Sequence, residues 1–194
     1  SRGLGDVYKR QILNRIQESI DVKSLLLEDI NTTNLINTLA HECYDAIKLG
    51  NKVIFAGNGG SFGDAQHLSA EFVSRFLFDR EPMASVVLGA NSSSITAIGN
   101  DYGYDHVFSR ELKAIGREGD IVIAISTSGN SSNIISLVKS SIDRGYKTYA
   151  LTGKSGGKLN NICECIKMPS SDTARIQECH ILIGHIICEI VEHK

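Results

Sequence analysis

Two side chains spaced four residues apart, His67 and Glu71, could exchange protons with a substrate. They lie in a segment with helical periodicity that starts near Ser61, and residues four apart lie on one face of a helix. A carboxylate can remove a proton from carbon, and histidine exchanges protons with oxygen near neutral pH. The pair therefore indicates proton-transfer chemistry, although most such pairs are ordinary surface hydrogen bonds.

A glycine-rich turn precedes this helix. The apolar run over residues 53–56 predicts a buried strand, and Gly57, Gly59 and Gly60 predict a tight turn after it. Backbone N–H groups of such a turn can approach a ligand, and a helix start carries roughly half a positive charge, so phosphate is the expected ligand. A turn that only serves packing is the alternative. The Walker lysine and the acid that would bind a ribose are absent, which argues against a nucleotide.

A second strand, turn and helix carry clustered hydroxyl groups. The strand covers residues 120–125, and the helix runs over about 132–144. Between them lie four hydroxyl side chains: Ser126, Thr127, Ser128 and Ser131. Such groups also cap ordinary helices, but four exceed what one cap needs. This excess favours a second phosphate-binding turn.

The last helix, over about residues 173–192, is apolar nearly all round and is therefore expected to be buried in the core or between subunits. Gln177, His180 and His185 interrupt it, and a polar side chain in such surroundings needs a partner. Each is a candidate for chemistry or, alternatively, a satisfied hydrogen bond of the core. The spacing of the two histidines does not choose between them.

Composition limits the class of protein. The chain has 194 residues and 42% hydrophobic content, enough for one sizeable core and too little for two ordinary α/β domains. A net charge of −2 gives no reason to expect nucleic-acid or anionic-membrane binding. No apolar run approaches the roughly 20 residues of a membrane span, and we expect no signal peptide and a cytoplasmic protein. The five cysteines form no paired metal knuckle and are interpreted as reduced thiols, mostly buried.

Strands and helices alternate along the chain. Residues 1–11 show little periodicity and are set aside as a tail or a non-native scar. One helix is predicted from Ile12, with Ile16 and Ile20 on its apolar side, and another over about 31–49; the pair could cap the sheet or join subunits. Five strands follow, at about 53–56, 84–88, 120–125, 147–152 and 162–168, and a polar, aromatic loop is predicted over 100–105. This order predicts a parallel sheet with helices on both faces and ligands at the carboxyl ends of its strands.

Several segments, taken together, resemble a sugar isomerase (SIS) domain and, within it, the phosphoheptose isomerase family. They are Gly57 to Ser61, Asp64 to His67, Glu71, Gly99 to Asp101, Ser126 to Ser131, Leu151 to Gly153, and Arg175 to Gln177 with His185. The resemblance covers about residues 12–192 and keeps their order and spacing.

The resemblance implies one SIS domain over residues 12–194. Its fold would be three-layered and flavodoxin-like, with a five-stranded parallel sheet preceded by two helices. It further implies a homotetramer that interconverts sedoheptulose 7-phosphate and D-glycero-D-manno-heptose 7-phosphate through an enediol. This is the first step towards ADP-heptose for the lipopolysaccharide core. One zinc ion per subunit is implied as well.

The resemblance also implies roles for individual residues, with Glu71 as the general base and His185 as the general acid. The implied substrate-binding residues are Asn58, Gly59, Gly60, Ser61, Glu71, Asn100, Asp101, Ser126, Thr127, Ser128, Ser131 and Gln177. The implied zinc ligands are His67, Glu71, Gln177 and His185. Ala174 departs from the family, because several relatives carry Asp there; Asp172 or Thr173 could substitute for that carboxylate.

Two other functions remain open from the sequence. One is a non-catalytic SIS protein like the tetrameric binder of the bacterial replication initiator, which lacks residues that match Glu71 and His185; both are present here. The other is a phosphosugar binder or isomerase for a different chain length, because hydroxyl turns recognise phosphate and not carbon count.

Overall fold

A computed structural model of the chain describes residues 2–194, with side chains from residue 5 onward. Five strands form one fully parallel sheet in the order β2-β1-β3-β4-β5. The strands are β1 Val53–Gly57, β2 Ser85–Val87, β3 Ile121–Ser126, β4 Lys147–Thr152 and β5 Glu164–Lys167. The predicted flavodoxin-like order is thereby confirmed, and its switch point lies between β1 and β3.

Seven α-helices accompany the sheet: α1 Arg2–Glu28, α2 Ile30–Lys48, α3 Gly60–Val73, α4 Ser92–Tyr102, α5 Val107–Ile115, α6 Ser132–Asp143 and α7 Thr173–Glu192. Two short 3₁₀ helices, Tyr104–His106 and Gly157–Asn161, lie in the connections. Two helices precede the first strand, as predicted.

The sheet separates two apolar layers because successive side chains of a strand point to opposite faces. Phe55 of β1 packs in the layer that α2, α3 and α7 complete. Its neighbour Ile54 packs in the other layer, with α5 and α6. β3 is buried along its whole length, as a central parallel strand must be. The layer with α3 and α7 carries the residues expected to do proton chemistry.

The first helix is longer than predicted. It begins at Arg2 and not at Ile12, so residues 2–11, set aside as a tail or scar, continue the same helix. The isoleucines of its first half do not cap the sheet: Ile12 is 60% exposed and Ile16 54%. Leu26 near its end is buried in the core. Polar contacts hold α1 to α7: Ser19 Oγ donates to Glu178 Oε2 at 2.7 Å, and Arg175 Nη1 donates to the Arg15 carbonyl oxygen at 2.7 Å. Within the described chain, the stripe of isoleucines has no cover.

The segment predicted as a loop over residues 100–105 is mostly helical. Asn100, Asp101 and Tyr102 form the last turn of α4, and Tyr104 opens a 3₁₀ helix. The break falls at Gly103, whose φ of 88° is left-handed and suits glycine. The prediction of a loop was wrong, because polar and aromatic residues can also form a helix end and a 3₁₀ helix.

The cysteines follow the sequence interpretation. All five are free thiols, and Cys43, Cys179 and Cys188 are buried. Cys163 and Cys165 are half-buried at β5. Among the described residues, no helix is long and apolar enough to cross a membrane.

Candidate active site

The structure brings His67, Glu71 and His185 together from two helices. His67 Nε2 on α3 lies 3.3 Å from Glu71 Oε1 and 2.7 Å from His185 Nε2 on α7. One of the two imidazoles must donate its Nε2 proton to the other at this distance. A carboxylate and two imidazoles in one chain of contacts can move protons among themselves and a substrate.

Small residues allow α3 and α7 to approach each other closely. A Cβ on Gly184 would overlap the buried side chain of Leu68, one residue after His67. A Cβ on Gly60 would lie 2.5 Å from Gln177 Nε2, so the Gln177 amide rests on the first residue of α3. In each of these contacts one of the two residues is a glycine. Because glycine has no side chain, α3 and α7 can lie close enough for their predicted site residues to meet.

Aromatic and acidic neighbours surround this cluster. The Phe76 ring stacks on the His185 ring, with centroids 5.3 Å apart and an interplanar angle of 22°. Burial raises the pKa of Asp64, and the nearby His67 partly opposes that shift. Asp64 Oδ2 is buried without a hydrogen-bond partner among the described residues.

The glycine turn uses a backbone conformation that favours glycine. Gly59 has φ 55° and ψ −120°, and in the described chain no side chain caps α3. Asn58 and Asn133 exchange two side-chain hydrogen bonds of 2.9 Å, which tie this turn to the start of α6. Tyr104 Oη donates to Asn58 Oδ1 at 3.3 Å. Ser61 is buried, and its N–H donates to Asn58 O at 3.0 Å.

The hydroxyl-rich turn does not cap its own helix. Ser131 occupies the N-cap of α6, yet in the described chain no side chain accepts from the first N–H groups of that helix. Its hydroxyl instead lies 3.4 Å from Ser126 Oγ. Ser128 Oγ accepts from Asn130 N at 3.1 Å within the turn. The turn therefore uses one hydroxyl for its own backbone but leaves the first N–H groups of α6 available to an anion.

A cavity of about 270 Å³ opens where this turn meets the carboxyl end of β4. Its lining residues are Thr127, Ser128, Asn130, Gly153, Lys154, Ser155, Ser170, Ser171, Thr173 and Ile176. The sequence interpretation missed Lys154, which adds a positive charge to a wall of hydroxyls. Its position just beyond β4 was the available signal, because ligands bind at the carboxyl ends of parallel strands.

Asn100 and Asp101 are the predicted residues that this chain does not bring into the cluster. Asn100 Nδ2 donates to Asp101 Oδ1 at 2.8 Å, and both side chains are exposed at the end of α4. Among the described residues neither has a hydrogen bond to another predicted site residue.

The structure shows the surroundings of two residues that the sequence left open, one within α7 and one at its start. His180 is fully buried, with its ring Nε2 3.2 Å from Thr152 O, so it belongs to the core and not to the site. Asp172 caps the helix by accepting from Ala174 N and Arg175 N. These bonds make Asp172 the N-cap of α7.

The proposed zinc ligands fit a metal in type but not in position. Two imidazoles, a carboxylate and an amide are nitrogen and oxygen donors that suit Zn²⁺. Two nitrogen ligands of one tetrahedral zinc stand roughly 3.4 Å apart, whereas His67 and His185 are hydrogen-bonded at 2.7 Å. Across the residues with described side chains, no three His, Cys, Asp or Glu groups form a metal cluster as they stand.

A family model for the SIS domain matches residues 20–153. The chain belongs to the SIS domain family. Within that family it is 53% identical over 182 residues to a phosphoheptose isomerase of Aneurinibacillus thermoaerophilus, covering 93% of this chain and 92% of the relative. It is 50% identical to phosphoheptose isomerase 2 of Campylobacter jejuni, with coverage of 94% and 92%.

Solved SIS-domain structures agree with the fold. The phosphoheptose isomerase of Neisseria gonorrhoeae superposes with a TM-score of 0.88 at 37% identity and covers 96% of this chain and 99% of its own. That agreement supports the five-stranded parallel sheet with two helices before β1.

Proposed function

We propose that this SIS-domain chain is an aldose–ketose isomerase that interconverts sedoheptulose 7-phosphate and D-glycero-D-manno-heptose 7-phosphate. The observation that carries the proposal is the convergence of Glu71, His67 and His185 from α3 and α7. Similarity to phosphoheptose isomerases at 50–53% identity supports the choice of substrate. The reaction would open the route to ADP-heptose for the lipopolysaccharide core.

Proton transfer is the work proposed for the cluster. Glu71 removes the proton from C1 of the ketose and returns a proton at C2 of the enediol. His185 exchanges protons with O1 and O2, and His67 lies between them at hydrogen-bonding distance of His185. Positioned groups of this kind each contribute roughly 10²–10⁴ in rate.

Phosphate binding is the work proposed for the turns. Ser61, Ser126, Thr127, Ser128 and Ser131 would hold the phosphate, and Asn58, Gly59, Gly60 and Gln177 would contact the sugar. The open N–H groups at the start of α6 favour an anion there. Holding a group remote from the reacting carbons positions those carbons for proton transfer. Asn100 and Asp101 complete the proposed substrate contacts.

Zinc is proposed as the cofactor, held by His67, Glu71, Gln177 and His185. When bound there, it would polarise the substrate carbonyl and stabilise the developing enediolate. To bind zinc, the two imidazoles would have to give up their mutual hydrogen bond. Both rings would also have to be neutral, because a metal-bound histidine carries no extra proton. We expect zinc to bind the wild-type chain and to bind His67→Asn much more weakly in competition with a chromogenic chelator.

A cytoplasmic homotetramer is the proposed state of the protein. The exposed stripe of α1, formed by Ile12, Ile16 and Ile20, supports self-association because apolar side chains at this spacing are normally covered. The five free thiols suit a reducing compartment.

The non-catalytic alternative is not favoured. A binding module needs neither acid nor base, yet Glu71 and His185 are both present and both contact, or nearly contact, His67.

The deciding experiment incubates purified, zinc-loaded protein with sedoheptulose 7-phosphate in D₂O and follows the products by NMR. We expect the aldose to form with deuterium at C2, because an enediol base exchanges its proton with solvent. Aldose without deuterium would support the isomerase but contradict an exchanging base. Absence of any aldose from folded protein would overturn the proposal.

A further inference from the structure

A buried ion pair joins the ends of the two helices that carry the proton-handling cluster. Arg80 follows α3, and Glu192 is the last residue of α7. Arg80 Nε lies 3.0 Å from Glu192 Oε1, and the two side chains are 11% and 0% exposed. Neither residue was singled out from the sequence, and neither belongs to the proposed substrate or zinc contacts.

The guanidinium of Arg80 reaches the backbone that holds Glu71. Its Nη2 donates to the carbonyl oxygen of Glu71 at 2.8 Å, and its Nη1 donates to that of Phe72 at 3.0 Å. These carbonyls belong to the last turn of α3, where backbone acceptors lack helical partners. A planar guanidinium with several donors can hold two carbonyls and a carboxylate in a fixed arrangement.

The carboxylate of Glu192 reaches the backbone that holds the ring beside His185. Its two oxygens accept from Phe76 N at 2.9 Å and from Leu77 N at 2.6 Å. The Phe76 ring in turn stacks on His185. One end of the ion pair therefore acts on Glu71 and the other on His185.

We infer that Arg80 and Glu192 are positioning residues for the reaction, which set the distance and orientation of Glu71 and His185 across the gap between α3 and α7. The inference rests on the roles given to Glu71 and His185 under the proposed function. A displacement near 1 Å costs proton transfer up to roughly a hundredfold. The hydroxyl-rich turn lies on neither helix, and the glycine turn lies at the opposite end of α3 from the carbonyls that Arg80 holds. Loss of the pair should thus lower kcat and leave KM nearly unchanged.

The test uses Arg80→Lys and Glu192→Gln in the full chain. Lysine keeps the charge but not the planar fork, and glutamine keeps the shape but not the charge. The matched control is Asp120→Asn, because the buried Asp120 also accepts from two backbone N–H groups and pairs with a cation, the half-buried Lys52, at 2.6 Å. The hydrogen-bond partners of Asp120 lie just before β1 and β3 and not on α3 or α7.

We expect kcat to fall roughly tenfold to a hundredfold in both test variants, with KM changed less than about threefold. Asp120→Asn should lower stability while keeping kcat. Long-range ¹H–¹⁵N spectra of the six histidines give a readout without turnover. The ring signals of His67 and His185 should move in the test variants, while those of His180 stay in place.

Wild-type kcat together with unmoved His67 and His185 signals in folded Arg80→Lys or Glu192→Gln would overturn the inference. If those variants do not fold, Phe76→Leu keeps both charges and must still shift the His185 signals and lower kcat. Glu71→Gln and His185→Gln separate the two proposals. Wild-type turnover in Glu71→Gln or His185→Gln refutes the proposed roles of these two residues. The His185 ring signals of Arg80→Lys and Glu192→Gln still report whether the ion pair orients His185.

Discussion

At the scale of single residues, the position of His67 changes how the proton-handling groups are understood. The resemblance pairs Glu71 with His185 as base and acid, but the structure places His67 within reach of both. Both contacts are made by one ring nitrogen, His67 Nε2, so that nitrogen can share a proton with either group. Glu71 remains the proposed acceptor of the proton from carbon.

Glu71→Gln tests that assignment. We expect kcat to fall by roughly 10²–10⁴, because glutamine keeps the size of the side chain but cannot accept the C1 proton. The variant should keep its unfolding midpoint and its phosphate affinity. Glu118→Gln, an exposed position before β3, is the matched control and should be silent. Wild-type turnover by Glu71→Gln would remove the proposed base.

His180 predicts a particular dependence of stability on pH. Burial lowers the pKa of His180 to about 4, and its hydrogen bond to Thr152 opposes that shift only in part. Because the unfolded chain binds this proton near pH 6.5, the stabilisation is complete above that pH and is lost as the pH falls towards 4. The loss should be roughly 2 kcal/mol by pH 5.

Urea unfolding at pH 7.5 and pH 5, at fixed protein concentration, measures this term. His180→Gln should lose about 2 kcal/mol less than the wild type between these pH values. His41→Gln, which changes a half-buried histidine, serves as the comparison variant. Equal pH slopes for wild type and His180→Gln would contradict the assignment.

At the scale of elements, the crossing of α3 and α7 determines the site. Gly184→Ala would place a methyl group against the buried Leu68. We expect a loss of roughly 1–3 kcal/mol in unfolding free energy and a lower kcat, because the two helices must separate. Gly63→Ala adds a methyl group to α3 in open space and should cost nothing.

A double-mutant cycle with Leu68→Ala checks the cause. If the clash is responsible, the double variant is less destabilised than the sum of the two single changes. Additive losses would place the effect of Gly184→Ala elsewhere.

The packing of α3 against α7 also separates the features that the sequence predicts from those that it does not. Apolar runs located all five strands, and i, i+4 spacing put His67 and Glu71 on one face, because both patterns are local. The contact between His67 and His185 spans 118 residues and depends on glycine contacts between helices, which no local pattern reveals. The buried partners Arg80 and Glu192 were missed for the same reason: each looks like an ordinary surface charge until the fold buries it.

At the scale of the whole molecule, α1 is the element that the single chain leaves incomplete. A helix of 27 residues would be roughly 40 Å long, and its isoleucine stripe has no cover in the described chain. The polar contacts of Ser19 and Arg175 fix one side of the helix to α7 and leave the stripe facing outward. Covering such a stripe is a sufficient physical reason for self-association.

Ile16→Lys tests whether the stripe holds subunits together. Each buried isoleucine contributes roughly 1.5–3 kcal/mol, and the proposed homotetramer would repeat the loss in every subunit. We expect Ile16→Lys to dissociate into smaller species in light scattering at micromolar concentration. Gln17→Lys adds the same charge one residue along and can pair with Asp21, its present hydrogen-bond partner, so it should stay assembled. If Ile16→Lys and wild type have the same mass, the stripe is not the interface. If both variants dissociate, added charge anywhere on α1 is the cause and the apolar stripe is not.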